Sequence, residues 1–62
     1  MEIQINKNTT AWQLITDVYK KLPSRNYRDN WQLITEGMEE NLPEVKHCAQ
    51  EIGVRLIEIE SE

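Results

Sequence analysis

Polar and apolar residues alternate at the beginning of the chain, and this alternation predicts a short strand over residues 2–6. Ile3 and Ile5 lie on one side of that strand and the polar residues on the other. A second apolar segment, residues 54–59, is rich in β-branched residues and has apolar side chains on both sides. We predict a second strand there, either bulged or covered on both faces in the interior of a sheet.

Helical spacing replaces this alternation between the two predicted strands. The first helix covers residues 10–22, with Thr9 or Thr10 as its N-cap. Pro23 ends it because proline cannot extend the hydrogen-bond ladder. The apolar residues follow the spacing of one helix face and then widen it: Trp12, Ile15, Tyr19 and Leu22, with Ala11, Leu14 and Val18.

The second predicted helix begins between Asn26 and Asp29, either of which can cap it. It continues past Gly37, which costs about 1 kcal/mol relative to alanine inside a helix. Close approach of the first helix would explain this glycine, and a local irregularity is the other explanation. The apolar face again has helical spacing, with one neighbour beside it: Tyr27, Trp31, Ile34 and Met38, with Leu33.

A third helix is predicted to begin near Asn41, because Pro43 suits the first helical position and Glu44 the first turn. Gly53 is expected to end it as the left-handed residue after the last turn. Its apolar stripe consists of four residues: Val45, Cys48, Ala49 and Ile52.

The pentapeptide Trp-Gln-Leu-Ile-Thr occurs twice, at residues 12–16 and 31–35, and each copy leads to a Leu-Pro pair. We interpret the copies as one recurring helical unit. The two helical repeats cover residues 10–23 and 27–43 inside a single domain of residues 1–62. The unit is too short to indicate a known class of repeat protein.

The predicted fold class is α+β, in the order β-α-α-α-β. It combines two short strands with an amphipathic helical hairpin and a third short helix. The strands pair with each other or across a two-fold axis, and we favour a homodimer that extends the sheet to four strands. A chain of 62 residues with 39% apolar residues and no phenylalanine has a thin core. Association is a common way to stabilise such a chain.

Cys48 and His47 are the only cysteine and histidine in the sequence. A single cysteine cannot form an internal disulfide and indicates a reducing compartment, so we expect a cytoplasmic protein without signal peptide or membrane anchor. Cys48 lies on the apolar stripe and His47 off it, which does not suit a nucleophile and its base. We expect no catalytic residue, no metal site and no cofactor.

Charge is divided unequally along the chain. Residues 1–28 carry five Lys or Arg and two acids, whereas residues 29–62 carry two Lys or Arg and nine acids. The connector between the first two helices combines four cations with tyrosines, an arrangement typical of nucleic-acid contacts: Lys20, Lys21, Arg25 and Arg28. The net charge of −4 opposes this interpretation, so nucleic acid is the alternative partner.

Acidic residues gather where the second predicted helix ends: Glu36, Glu39, Glu40 and Glu44. They form a solvated face or a surface for a basic partner, in preference to a cation site. Trp12 and Trp31 are expected in the core, with partial exposure at an interface as the alternative.

The sequence therefore predicts a small, non-catalytic protein–protein interaction module that acts as a homo-oligomer. It would be an adaptor, an inhibitor or a regulatory subunit. The expected partners are a second copy and an unidentified protein, bound through these acidic residues and the two tryptophans. A nucleic-acid-binding regulator that uses the basic connector is the alternative function.

Overall fold

Residues 1–59 are described by a computed structural model. Their secondary structure confirms the predicted β-α-α-α-β order of a small α+β domain. The elements are β1 (Glu2–Ile5), α1 (Ala11–Lys21), α2 (Arg25–Ile34), α3 (Leu42–Glu51) and β2 (Arg55–Glu58).

The two strands pair with each other in parallel, with Ile3 opposite Leu56. At the ends of the ladder the Arg55 amide donates to the Met1 carbonyl and the Ile59 amide to the Ile5 carbonyl, each at 2.8 Å. A parallel pair needs a long crossover, and the three helices provide it. Pairing within the chain, one of the two arrangements left open by the sequence, is therefore observed.

The sheet has one face against the helices and one face outward. Ile3, Ile5 and Val54 are buried on the helix side. The register runs without a bulge, so Ile57 points to the outer face, where it remains half-buried. β2 is thus apolar on both faces, as predicted, but within residues 1–59 only β1 pairs with it.

Local capping determines where α1 begins and ends. The Thr10 hydroxyl accepts from the Gln13 amide and the Gln13 side chain accepts from the Thr10 amide, each at 3.1 Å, which forms a capping box. Thr9 instead accepts from the Asn6 amide. The helix ends before Pro23, as predicted, and its buried side consists of Ala11, Leu14 and Val18.

The bounds of α2 differ from the prediction at both ends. Ser24 is the N-cap, where its side chain accepts from the Tyr27 amide at 3.3 Å, so neither Asn26 nor Asp29 caps the helix. The helix ends at Ile34, and Gly37 lies in a turn beyond it with φ of 83°. A left-handed glycine interrupts an α-helix, so the prediction that the helix continues past Gly37 was wrong.

α3 follows the prediction closely. Asn41 is its N-cap, Pro43 lies in its first turn, and Gly53 follows its end with φ of 91°. The buried stripe consists of Val45, Cys48 and Ala49, whereas Ile52 is exposed.

The core lies between the sheet, α1 and α3, and α2 packs at its margin. Trp31 is the one fully buried side chain of α2, with Ile34 partly buried beside it. Tyr27, predicted on the apolar face of the second helix, is exposed. α2 is thus held mainly by one indole, and much of its surface is left uncovered.

Candidate interaction groove

A mainly apolar groove of about 890 Å³ runs between α1 and α2. Its apolar lining comes from both helices: Trp12, Ile15 and Tyr19 from α1, and Trp31 and Leu33 from α2. We call this surface the α1–α2 groove. Residues from both copies of the repeated pentapeptide line it, which makes it the candidate functional site of the chain.

A single hydrogen bond shows how the two helices are aligned. The Trp31 indole Nε1–H donates to the Ile15 carbonyl oxygen at 3.0 Å. Ile15 lies six residues before the end of α1 and Trp31 six residues after the start of α2, with a connector of residues 22–24 between the helices. The helices are therefore antiparallel neighbours joined by a short loop.

The two pentapeptide copies bury opposite sides. In the first copy Leu14 is 0% exposed and Trp12 61% exposed, whereas in the second copy Trp31 is 1% exposed and Leu33 70% exposed. The first and third residues of the pentapeptide are about 200° apart around a helix, so a helix that buries one must expose the other. The groove consequently presents a tryptophan from one copy and a leucine from the other.

Expectations for the two tryptophans met different outcomes. The prediction that Trp31 forms part of the core is confirmed. The prediction that Trp12 is buried was wrong, because α1 turns Leu14 and Val18 toward α3 and the sheet and leaves the indole of Trp12 outside. Leu33 was not recognised as a candidate, although its place on the edge of the predicted apolar face was a usable signal.

Charged residues lie along the groove in an uneven pattern. Lys20 and Asp29 line the end near the connector. Glu36 and Glu39 line the other end, because they follow α2, which runs away from the connector. The structure thus brings together four of the six predicted partner-binding residues: Trp12, Trp31, Glu36 and Glu39.

Glu40 and Glu44, the other two predicted partner-binding residues, do not line the groove. Both are exposed, Glu40 in the turn after α2 and Glu44 in the first turn of α3. A carboxylate in the first turn of a helix interacts favourably with the helix dipole. This gives Glu44 a structural role that needs no partner.

The four basic residues predicted as nucleic-acid contacts lie at the ends of α1 and α2 that flank the connector, and they do not converge on one surface. Lys20 lines the α1–α2 groove, and Lys21 lies beside β1 in a separate polar depression. Arg25 Nε lies 3.9 Å from Asp29 Oδ2, and Arg28 Nη1 donates to the Leu22 carbonyl at 3.1 Å. The Arg28 contact satisfies a backbone acceptor at the end of α1.

Cys48 is buried and His47 is exposed, as expected from their places on α3. The thiol donates to the Met38 sulfur at 3.9 Å, and His47 Nε2 lies 3.2 Å from Glu51 Oε1. Burial, with added repulsion from Glu44 and Glu51, raises the pKa of the Cys48 thiol above its ordinary value. The thiolate, which is the nucleophilic form, is thereby disfavoured.

Within residues 1–59, no group of three or more His, Cys, Asp or Glu side chains could hold a metal ion. None of the helices in that range is both long enough and apolar enough to cross a lipid bilayer. No protein-family model matches the chain, and neither a curated protein nor a solved structure is significantly similar to it.

Proposed function

We propose that the chain is a non-catalytic protein–protein interaction module, of the adaptor, inhibitor or regulatory-subunit kind, that works as a homo-oligomer. The observation that supports this proposal is that Trp12 and Leu33 are both exposed and both line the α1–α2 groove. Contiguous exposed apolar surface rimmed by polar residues is typical of interaction sites. Tryptophan and tyrosine, which this groove also contains, are the residues that most often dominate binding energy.

Burial of these side chains by a protein surface would be favourable by about 25 cal/mol for each Å² of apolar area removed from water. The acidic rim restricts which surface fits, because Glu36 and Glu39 favour a cation opposite them. Glu40 and Glu44 lie outside the groove and stay accessible when it is occupied. They offer a second surface for a basic partner of the oligomer.

Photocrosslinking in expressing cells tests this function. A benzophenone amino acid is placed at Trp12 or at Leu33, and at Gln50 as a control, because Gln50 is exposed on α3 outside the groove. Crosslinked protein products are expected from positions 12 and 33 well above the level from position 50. Equal, weak crosslinking at all three positions would contradict the proposed function.

A further inference from the structure

We propose that the occupant of the α1–α2 groove is a second copy of the same chain, packed about a two-fold axis. The proposal rests on the interaction function above and names the partner of that groove. It assigns Lys20 of each copy to Glu36 and Glu39 of the other. The arrangement follows from the distribution of charge along the groove and from the helix alignment.

The groove is self-complementary in charge. Lys20 lies toward the connector end, while Glu36 and Glu39 lie toward the opposite end. The contact between Trp31 and Ile15 lies between these ends. A two-fold axis near that contact exchanges the ends, so Lys20 of each copy meets Glu36 and Glu39 of the other copy.

Among residues 1–59, Asp29 is the one acidic residue that lines the cationic end of the groove. Rotation about the two-fold axis brings it toward Glu36 and Glu39 of the other copy, which opposes association. However, Arg25 Nε lies 3.9 Å from Asp29 Oδ2, so the same chain already supplies a countercharge. The net electrostatic effect is attraction between opposite ends.

Apolar surface supplies the main driving force. Trp12, Tyr19 and Leu33 are all exposed in or beside the groove. Two helical hairpins that pack groove to groove would form a four-helix arrangement around these side chains. The core of a 62-residue chain is small and contributes little stability. Burial of this apolar surface by a second copy would therefore stabilise the fold.

The sheet offers a competing route to a dimer, through the edge of β1 or β2 that no other strand within residues 1–59 occupies. The outer face of the sheet is mostly polar, because Glu2, Gln4 and Arg55 are exposed there. Arg55 Nη1 lies 3.7 Å from Glu2 Oε2. Each strand has only four residues, so few backbone hydrogen bonds could join two sheets. The groove therefore offers more apolar surface for association to bury than the sheet does.

Complementary charge reversal tests the proposal with the purified chain. One variant carries Lys20→Glu and the other carries Glu36→Lys with Glu39→Lys. In the proposed dimer each variant alone places like charges at both ends, whereas a mixture of the two restores opposite charges at both ends. We expect roughly tenfold or greater weakening of self-association for each variant alone and recovery in the equimolar mixture.

Matched controls carry the same charge changes outside the groove. They are Lys7→Glu and the pair Glu40→Lys with Glu44→Lys, all at exposed positions. Sedimentation across a concentration series measures association, and circular dichroism verifies that each variant is folded. The control variants should associate like the original chain, and mixing them should change nothing.

Two outcomes would overturn the proposal. The first is an original chain that remains monomeric at every concentration. The second is a dimer that is equally strong in both groove variants, which would point to the sheet edge. A monomer would also contradict the homo-oligomer of the proposed function, whereas a dimer through the sheet edge would leave that function intact. In both cases crosslinking in cells still tests whether a different protein binds the groove. Loss of crosslinking at positions 12 and 33 would instead remove both.

Discussion

The two copies of Trp-Gln-Leu-Ile-Thr are identical in sequence, but each buries a different side chain. α1 buries the leucine of its copy against α3 and the sheet, whereas α2 buries the tryptophan of its copy against α1. The helical conformation is the same in both, so the difference arises from where each helix lies relative to the core. An amphipathic segment with apolar residues around much of its circumference can be rotated to bury either side.

The tryptophans should show this difference most strongly. Trp31→Ala is expected to lower the free energy of unfolding by about 3–5 kcal/mol, because it empties a buried site. Trp12→Ala, at the exposed position, should change it by about 0.5 kcal/mol or less. Urea denaturation followed by circular dichroism measures both values at low protein concentration.

If Trp31→Ala does not fold, Trp31→Phe keeps the comparison measurable. It retains most of the apolar volume but removes the indole N–H that donates to the Ile15 carbonyl. We expect a loss of about 1 kcal/mol for that hydrogen bond. Equal effects of phenylalanine at positions 12 and 31 would show that the two indoles do not differ as described.

The leucines should show the reverse order. Leu14→Ala removes a fully buried side chain and is expected to lower the free energy of unfolding by about 2–5 kcal/mol. Leu33→Ala should change the free energy of unfolding of the dilute chain by about 0.5 kcal/mol or less. At high concentration the same Leu33 variant should associate more weakly, which separates folding from occupation of the groove.

Gly37 marks a difference in how the two copies end. The helix that contains the first copy continues until just before Pro23. The second copy instead runs into a turn in which Gly37 has a left-handed φ. Gly37→Ala should cost about 1 kcal/mol, since a Cβ disfavours this conformation although there is open space around it. Glu36→Ala, one residue earlier, serves as the control in thermal unfolding, and an equal effect there would contradict the backbone explanation.

The threonines that close the two copies should differ least. Each hydroxyl donates to the carbonyl of its own tryptophan at 2.9 Å, but Thr35 is buried whereas Thr16 is only half-buried. Thr35→Val is expected to cost about 1 kcal/mol because the lost hydrogen bond lies in the core. Water can replace the bond at Thr16, so Thr16→Val should lie within about 0.5 kcal/mol. Chemical denaturation of the two variants side by side measures this difference.

Features that depend on neighbouring residues could be predicted from the sequence. The element order, a threonine cap for α1 (Thr9 or Thr10), the stop before Pro23 and the role of Gly53 all depend on residues a few positions apart. The predicted start of α2, between Asn26 and Asp29, was wrong, because Ser24 also has a side chain that suits an N-cap and was not considered. Only the folded backbone selects one of them.

The candidate site was only partly predictable, because its composition depends on tertiary packing. Glu36 and Glu39 were recognised from their charge, and they do line the groove. Exposure of Trp12 was only the alternative to burial, and exposure of Leu33 was not predicted. Helix periodicity identifies a broad apolar face without showing which part meets the core. The pairing of the two strands in parallel likewise depends on contacts between the two ends of the domain.

The parallel pairing of β1 and β2 also determines how the domain would respond to a pulling force. Glu2 and Glu58 lie at opposite ends of the two-stranded ladder. Tension applied through these residues would slide one strand past the other, so the backbone hydrogen bonds between them would bear the load together. The same ladder pulled at Glu2 and Arg55, which are paired at one end, would open one bond at a time.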